Sequence, residues 1–257
     1  MGAETDIFSR PVSRRTLLRA TGASAATIAL WPALAHAQVL VVPSVIDPYS
    51  GSIPLVFPLK RNTYKTPVNN NWHATREGEI YQWNHQDAST TRAHDGVDVY
   101  PRSTGALPTV YAPLTAKVAA VCLRSNNTLS GTVTYKVSST TPPPWNYSQA
   151  IDNVANLPLY GNFIWLYSTD SRSNGYFVFF CHLQNEAILR ALVPDQAVAT
   201  ATALGMMGDT GNAQGTSQLH AEIHYPAGNS FTCTHCTPNK TVTSIDPYNS
   251  LVNATKR

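Results

Sequence analysis

The stretch GDTGNAQGTSQLHAEIHY (208–225) decides how the chain folds. Its first half, with Gly208, Gly211 and Gly215, reads as a turn. Its second half alternates. Gln218, His220, Glu222 and His224 fall on one face of an extended chain, and Leu219, Ala221 and Ile223 on the other. The spacing predicts a strand over 219–225 with its apolar face in a core and a row of ionisable groups opposite.

Two other stretches carry chemistry of the same kind. RAHDGVDVYP (92–101) offers His94 and Asp98 at the entry to a strand, where positions 94, 96 and 98 share one face. FVFFCHLQ (177–184) ends a strong strand on His182. Alternation there aims Cys181 at the face opposite to His182, which argues against a nucleophilic thiol. Two imidazoles and one carboxylate suit catalytic zinc, which takes three protein ligands and leaves a fourth position open. A His-x3-Asp pair alone is more often a surface turn, so the weight lies in the three pieces together.

Between these pieces the chain reads as strands separated by turn residues. The β-branched and aromatic runs are 96–100, 109–112, 116–123, 131–137, 162–168, 175–183 and 219–225. Only NEAILRALV (185–193) looks helical, with Ile188, Leu189 and Leu192 on one side. The segment from Ser138 to Leu159 is long and lacks strand character, as a wall beside a site would. Residues 61–92 are polar and irregular, with His73 and His85 in a loop region where they line a groove or stay solvated. Strands so outnumber helices that the expectation is an all-β fold.

Composition bounds the function. Charged residues make up 13% of the 257, about half the usual share of roughly 25%, and 43% are hydrophobic, enough for a sizeable core. The net charge of +3 includes four Arg and two acidic residues before Gln38. The remainder holds 14 basic and 13 acidic groups. No basic stripe exists to neutralise phosphates, so no nucleic-acid partner is expected.

Residues 1–37 read as a targeting segment. Arg14 and Arg15 precede a mildly apolar stretch that ends in Ala35-His36-Ala37, the form of a twin-arginine signal cleaved before Gln38. About 15 apolar residues broken by Pro32 fall short of a bilayer span, so no stable membrane insertion is expected after cleavage. The expected organisation is a signal at 1–37, an extended lead-in at 38–60 and one domain at 61–257. Localisation would be periplasmic or extracellular.

Read together, the motifs resemble the lysostaphin/LytM-type zinc metallopeptidase family. HDGVDVY (94–100) is similar to its His-x3-Asp zinc motif, and YAPLTAKVAAV (111–121) to the strand that follows. YGNFIWLYS and GYFVFFCHL look like its hairpin ending in a catalytic His. QLHAEI matches the His-x-His stretch, and SIDPYNSL (244–251) the closing Asp-Pro segment. The resemblance runs from about Phe57 to Leu251. It implies antiparallel β-sheets forming a groove, a duplicated-hybrid or barrel-like fold with long loops and little helix.

By that resemblance His94, Asp98 and His220 bind Zn2+. His182 takes the position of a catalytic His, and the substrate is a peptide bond of peptidoglycan or another peptide. Gln218 stands where the family has its other catalytic His. It keeps an N–H donor but cannot shuttle a proton. Losing one oxyanion donor costs about 2.7–4 kcal/mol. The same departure admits a degenerate relative that binds cell-wall peptide or activates a partner amidase. Glu222 matches an acidic position whose role is to support the zinc His. His224 shares the face of His220, four residues further along the strand.

Four Cys in an exported chain suggest disulfides. Cys233 and Cys236 lie close in sequence, and the resemblance places the strands of Cys122 and Cys181 near each other. The expected pairs are 233–236 and 122–181. The rival reading of CTHC is half of a metal site or a redox pair.

Overall fold

The computed structural model describes residues 51–65, 85–86, 93–94, 96–103, 105–124, 133–144, 160–233, 240–242 and 244–256. The backbone alone is described at 85–86, 93–94, 231–233 and 240–242. The expected signal, His73, Cys236 and the stretch 145–159 lie outside the described residues.

Among the described residues, fourteen strands, two short α-helices and one 3-10 turn at Gly211–Ala213 follow in chain order. They are β1 (His85–Gln86), β2 (Ala93–His94), β3 (Val97–Val99), β4 (Thr109–Tyr111), β5 (Ala116–Arg124), β6 (Val133–Val137) and β7 (Asn162–Ser168). Then come β8 (Phe177–Leu183), α1 (Ala187–Ala191), β9 (Ala197–Val198), β10 (Ala203–Met206), β11 (Leu219–His224), β12 (Phe231–Cys233), β13 (Lys240–Val242), β14 (Ser244–Ile245) and α2 (Pro247–Val252). The fold is all-β, as expected, and the strand pairs are antiparallel.

The main sheet has eight strands. Its path is β14-β11-β8-β7-β5-β6, with β3 also pairing β11 and β9 pairing β5. Within it β8 and β11, the strands that carry His182 and His220, lie side by side. One face packs Leu219, Ala221, Ile223, Val178, Phe180, Ile164 and Leu166 into the larger core. The other face holds a second apolar cluster of Phe163, Trp165, Phe177, Phe179, Cys122 and Cys181. Both faces being covered explains why these strands read as near-continuous apolar runs.

The second half of the expected lead-in belongs to the core. Ile53, Leu55, Phe57 and Leu59 are all buried, and Val56 bridges Thr255 near the other end of the described chain. Phe57 stacks on Tyr64 with ring centroids 4.5 Å apart. The Lys256 ammonium sits 4.5 Å from the Phe57 ring centroid, a cation–π contact.

α1 begins at Glu186, whose carboxylate accepts from the N–H groups of Ile188 and Leu189. α2 begins at Asp246 with Pro247 just inside the helix, a combination that fixes a helix start.

The expected 122–181 disulfide is absent: both cysteines are buried free thiols. Cys122 on β5 faces Phe163 on β7, and β7 then pairs with β8. One strand thus separates the two sulfurs, about 9–10 Å of sheet and beyond disulfide reach. The side chain of Cys233 lies outside the described residues, so the 233–236 expectation does too.

Candidate metal and catalytic site

The site grows from strand register. β11 runs antiparallel to β3 with His220 directly across from Asp98. On its other edge β11 runs antiparallel to β8 with His220 across from Cys181. Residues directly opposite in a ladder share a face, so Asp98, His220 and Cys181 line up across three strands. Along β11 the same face carries Glu222 and His224, as the alternation predicted, and Gln218 lies one residue before the strand.

His220 is held at both nitrogens. Nδ1 lies 2.8 Å from Asp98 Oδ1, and Nε2 lies 2.9 Å from Glu222 Oε1. Burial alone would lower the His220 pKa, but its hydrogen bonds to Asp98 and Glu222 outweigh it and lift it to about 10. Glu222 is 1% exposed. Burial pushes its pKa up, and the hydrogen bonds from His220 and His224 more than reverse that, to about 2. Its second oxygen accepts from His224 Nε2 at 2.6 Å. His224 also sets its ring edge-on to Trp165, centroids 5.0 Å apart.

His182 reaches the same place through a β-bulge. Ile164 pairs with Phe180 and Asn162 with Leu183, so Cys181 and His182 together oppose the single residue Phe163. Such an insertion re-aims a side chain. His182 takes φ +61°, the left-handed region that a non-glycine residue seldom occupies. Its ring then lies 6.0 Å from that of His220, near perpendicular.

The expectation that Cys181 turns away from this site is therefore corrected. Two residues against one break the alternation, and Cys181 lies on the His220 face. Burial first, then the charges of Glu222 and Asp98, drive its thiol pKa well up, which keeps it protonated and unreactive.

Thr210 anchors the bulge. Its carbonyl lies 2.8 Å from His182 Nδ1, its hydroxyl donates to the Leu183 carbonyl at 2.9 Å and accepts from the Asn162 N–H at 2.9 Å. Asn162 adds a side-chain N–H to the Leu183 carbonyl at 3.0 Å. The turn 208–217, legible only as glycine-rich, thus supplies the group that orients His182.

Gln218 is 6% exposed, and its N–H donates to the Gly208 carbonyl at 2.8 Å. Its side-chain Oε1 is buried without a hydrogen-bond partner. An orphan acceptor of this kind marks a place where an incoming group would find a partner. His94 is in β2, and its backbone pairs with His85 in β1; the side chains of both lie outside the described residues. His85 is therefore in a strand pairing, not a loop.

The donors present suit a divalent ion. At a pKa of about 10 His220 carries a proton on each nitrogen, one toward Asp98 Oδ1 and one toward Glu222 Oε1; without the Nδ1 proton, two lone pairs would face each other. Two lone pairs 2.8 Å apart need a proton or a cation between them. An imidazole nitrogen plus a carboxylate oxygen is a donor set that zinc accepts, and the carboxylate behind the imidazole fixes its tautomer. Among the described residues no group of three or more His, Cys, Asp or Glu side chains gathers as a complete metal cage.

No protein-family model matches the chain, and no curated protein sequence matches it. Twenty-six chains of solved structures do match. One is the antimicrobial peptidase lysostaphin of Staphylococcus simulans, at 17% identity and TM-score 0.38, covering 72% of this chain and 53% of that one. A zinc-containing peptidase of Vibrio cholerae aligns at 18% identity and TM-score 0.36, covering 68% of this chain and 37% of that one. The third is a mutant catalytic domain of the prophage-encoded protein EnpA of Enterococcus faecalis, at 15% identity and TM-score 0.34. There 79% of this chain and 95% of that one are covered. The chain spans only about a third to a half of the first two. No helix among the described residues is long and apolar enough to cross a membrane.

Proposed function

We propose that this chain is an exported, zinc-dependent endopeptidase that hydrolyses peptide bonds of bacterial peptidoglycan. The observation that carries the reading is the Asp98–His220 pair, turned toward each other at 2.8 Å while Glu222 holds the far nitrogen of His220. His94, Asp98 and His220 would hold the ion, and the sequence motif is what adds His94. Bound there, zinc would polarise a peptide carbonyl and lower the pKa of a water molecule.

The chain's own groups do the rest. The Nδ1–H of His182 donates to the Thr210 carbonyl at 2.8 Å, which leaves the lone pair on Nε2. His182 accepts a proton there from the attacking water and returns it to the departing amine. Gln218 offers an amide N–H to the developing oxyanion but moves no proton. The test is mass spectrometry of peptidoglycan after incubation with the zinc-loaded protein of residues 38–257, beside His182→Ala. New peptide fragments that vanish in the variant support the proposal.

Gln218 favours a second reading, a relative that binds cell-wall peptide or activates a partner amidase. Its buried Oε1 lacks a partner, as a ligand-receiving group would. Absence of fragments from several wall types, with zinc still bound, would move the assignment there.

A further inference from the structure

The chain holds a feature that hydrolysis does not by itself require: a second imidazole behind the carboxylate that supports His220. We propose that His224 is a positioning residue that fixes Glu222, and through it the nitrogen His220 presents to Asp98; this rests on the zinc reading above. Four observations meet in it. Glu222 uses both oxygens, one on His220 Nε2 at 2.9 Å and one on His224 Nε2 at 2.6 Å. All three residues lie on one face of β11 and are buried, at 7%, 1% and 2% exposure for His220, Glu222 and His224. The His224 ring is set edge-on to Trp165, itself 0% exposed. Trp165 is in turn locked against Phe179, centroids 4.6 Å apart.

A carboxylate on a short strand side chain would otherwise rotate about its own axis and lose the His220 contact. With one oxygen tied to an imidazole walled in by aromatic rings, the other has one place to go. His220 then keeps Nε2–H toward Glu222 and Nδ1 toward Asp98.

The test is the zinc affinity of the full mature protein, measured by chelator competition, with thermal unfolding of each variant as the check on folding. His224→Phe keeps the ring against Trp165 and removes the donor. Glu222→Gln removes the charge that His220 leans on. Both should bind zinc about 10- to 100-fold more weakly, the usual effect of losing such a support. His224→Gln restores an N–H donor and should recover most of the loss, which a purely structural role would not predict. Should His224→Phe fail to fold, His224→Asn, too short to reach Glu222, should show the same loss. Folded His224 variants within twofold of wild type would overturn the positioning role and leave the zinc site standing. A wild-type protein that binds no zinc would overturn the site itself.

Discussion

The His220 imidazole fills the space that a side chain at Gly96 would need. A β-carbon added at Gly96 would sit 2.6 Å from both Cε1 and Nε2 of His220, and 2.5 Å from the Ala221 carbonyl oxygen. The imidazole lies over bare backbone, two residues before Asp98, and that is how β3 and β11 approach closely enough for the Asp98–His220 contact.

Gly96→Ala should therefore move His220 even though it removes no polar group. Forced overpacking of this sort costs about 1–3 kcal/mol. The expected result is a lower unfolding midpoint together with weaker zinc binding. Unchanged values for both would mean that the backbone has room the structure does not show.

Asp246 gives the clearest pH dependence away from the site. Burial raises its pKa from 3.8 to about 6, against the lowering effect of the Tyr248 N–H. The folded state thus binds the proton more tightly than the unfolded chain. The stabilising share is complete below about pH 4 and is lost as pH rises through about 6. At pH 7 the buried carboxylate is a burden of about 1–3 kcal/mol. Asp246→Asn keeps a side-chain oxygen for the Tyr248 N–H and should gain stability relative to wild type between pH 4 and 7. Parallel stability curves for the two proteins across that range would refute the account.

Cys122 and Cys181 should remain reduced and inert. Burial, partly offset by Arg124, lifts the Cys122 thiol to about 12, and burial with the charges of Glu222 and Asp98 raises the Cys181 thiol well above its ordinary value. Alkylation of the native protein at pH 8 should spare both, and denaturant should expose both to labelling. Peptide mapping without reductant that finds a 122–181 linked peptide would contradict the strand order.

Phe57→Ala tests whether the segment before the expected domain boundary is structural. The ring is 0% exposed and sits between Tyr64 and Lys256. Truncation of such an aromatic costs about 3–5 kcal/mol. A drop in denaturant midpoint of that size is expected, and a change below about 0.5 kcal/mol would mark the segment as peripheral.

Gln218→His replaces a group that cannot move a proton by one that can. If the proposed hydrolysis is correct, the turnover rate should rise, by up to roughly a hundredfold, with zinc affinity nearly unchanged. A fall in rate would show that the site has been built around the amide.

Much of this was legible in the sequence because the strands obey simple periodicity. NFIWLYS (162–168) matches β7 residue for residue, and the polar row on β11 falls where alternation puts it. The misreadings have physical causes. Alternation fails at Cys181 because a bulge adds one residue, and nothing in FVFFCHL announces a positive φ at His182. β10, with the sequence ALGM (203–206), lacks the β-branched and aromatic residues that mark a strand. Residues 51–59 carry Ile53, Leu55, Phe57 and Leu59 in plain alternation, but the prolines around them set them apart as an extended lead-in. The helix at 247–252 was not read from the sequence, because at six residues it is too short for periodicity to reveal.

Asp98 and His220 are 122 positions apart in sequence, and their contact closes a loop of that length. A cross-link over about 100 residues removes roughly 4–5 kcal/mol of unfolded-state entropy in the chain-closure picture. With its buried sulfurs unlinked, the described part of the chain is closed over long separations by non-covalent contacts, this one and Ile53–Ser250 among them. An ion shared by Asp98 and His220 would act as a removable rivet, so that chelation would lower the melting temperature as well as silence the chemistry.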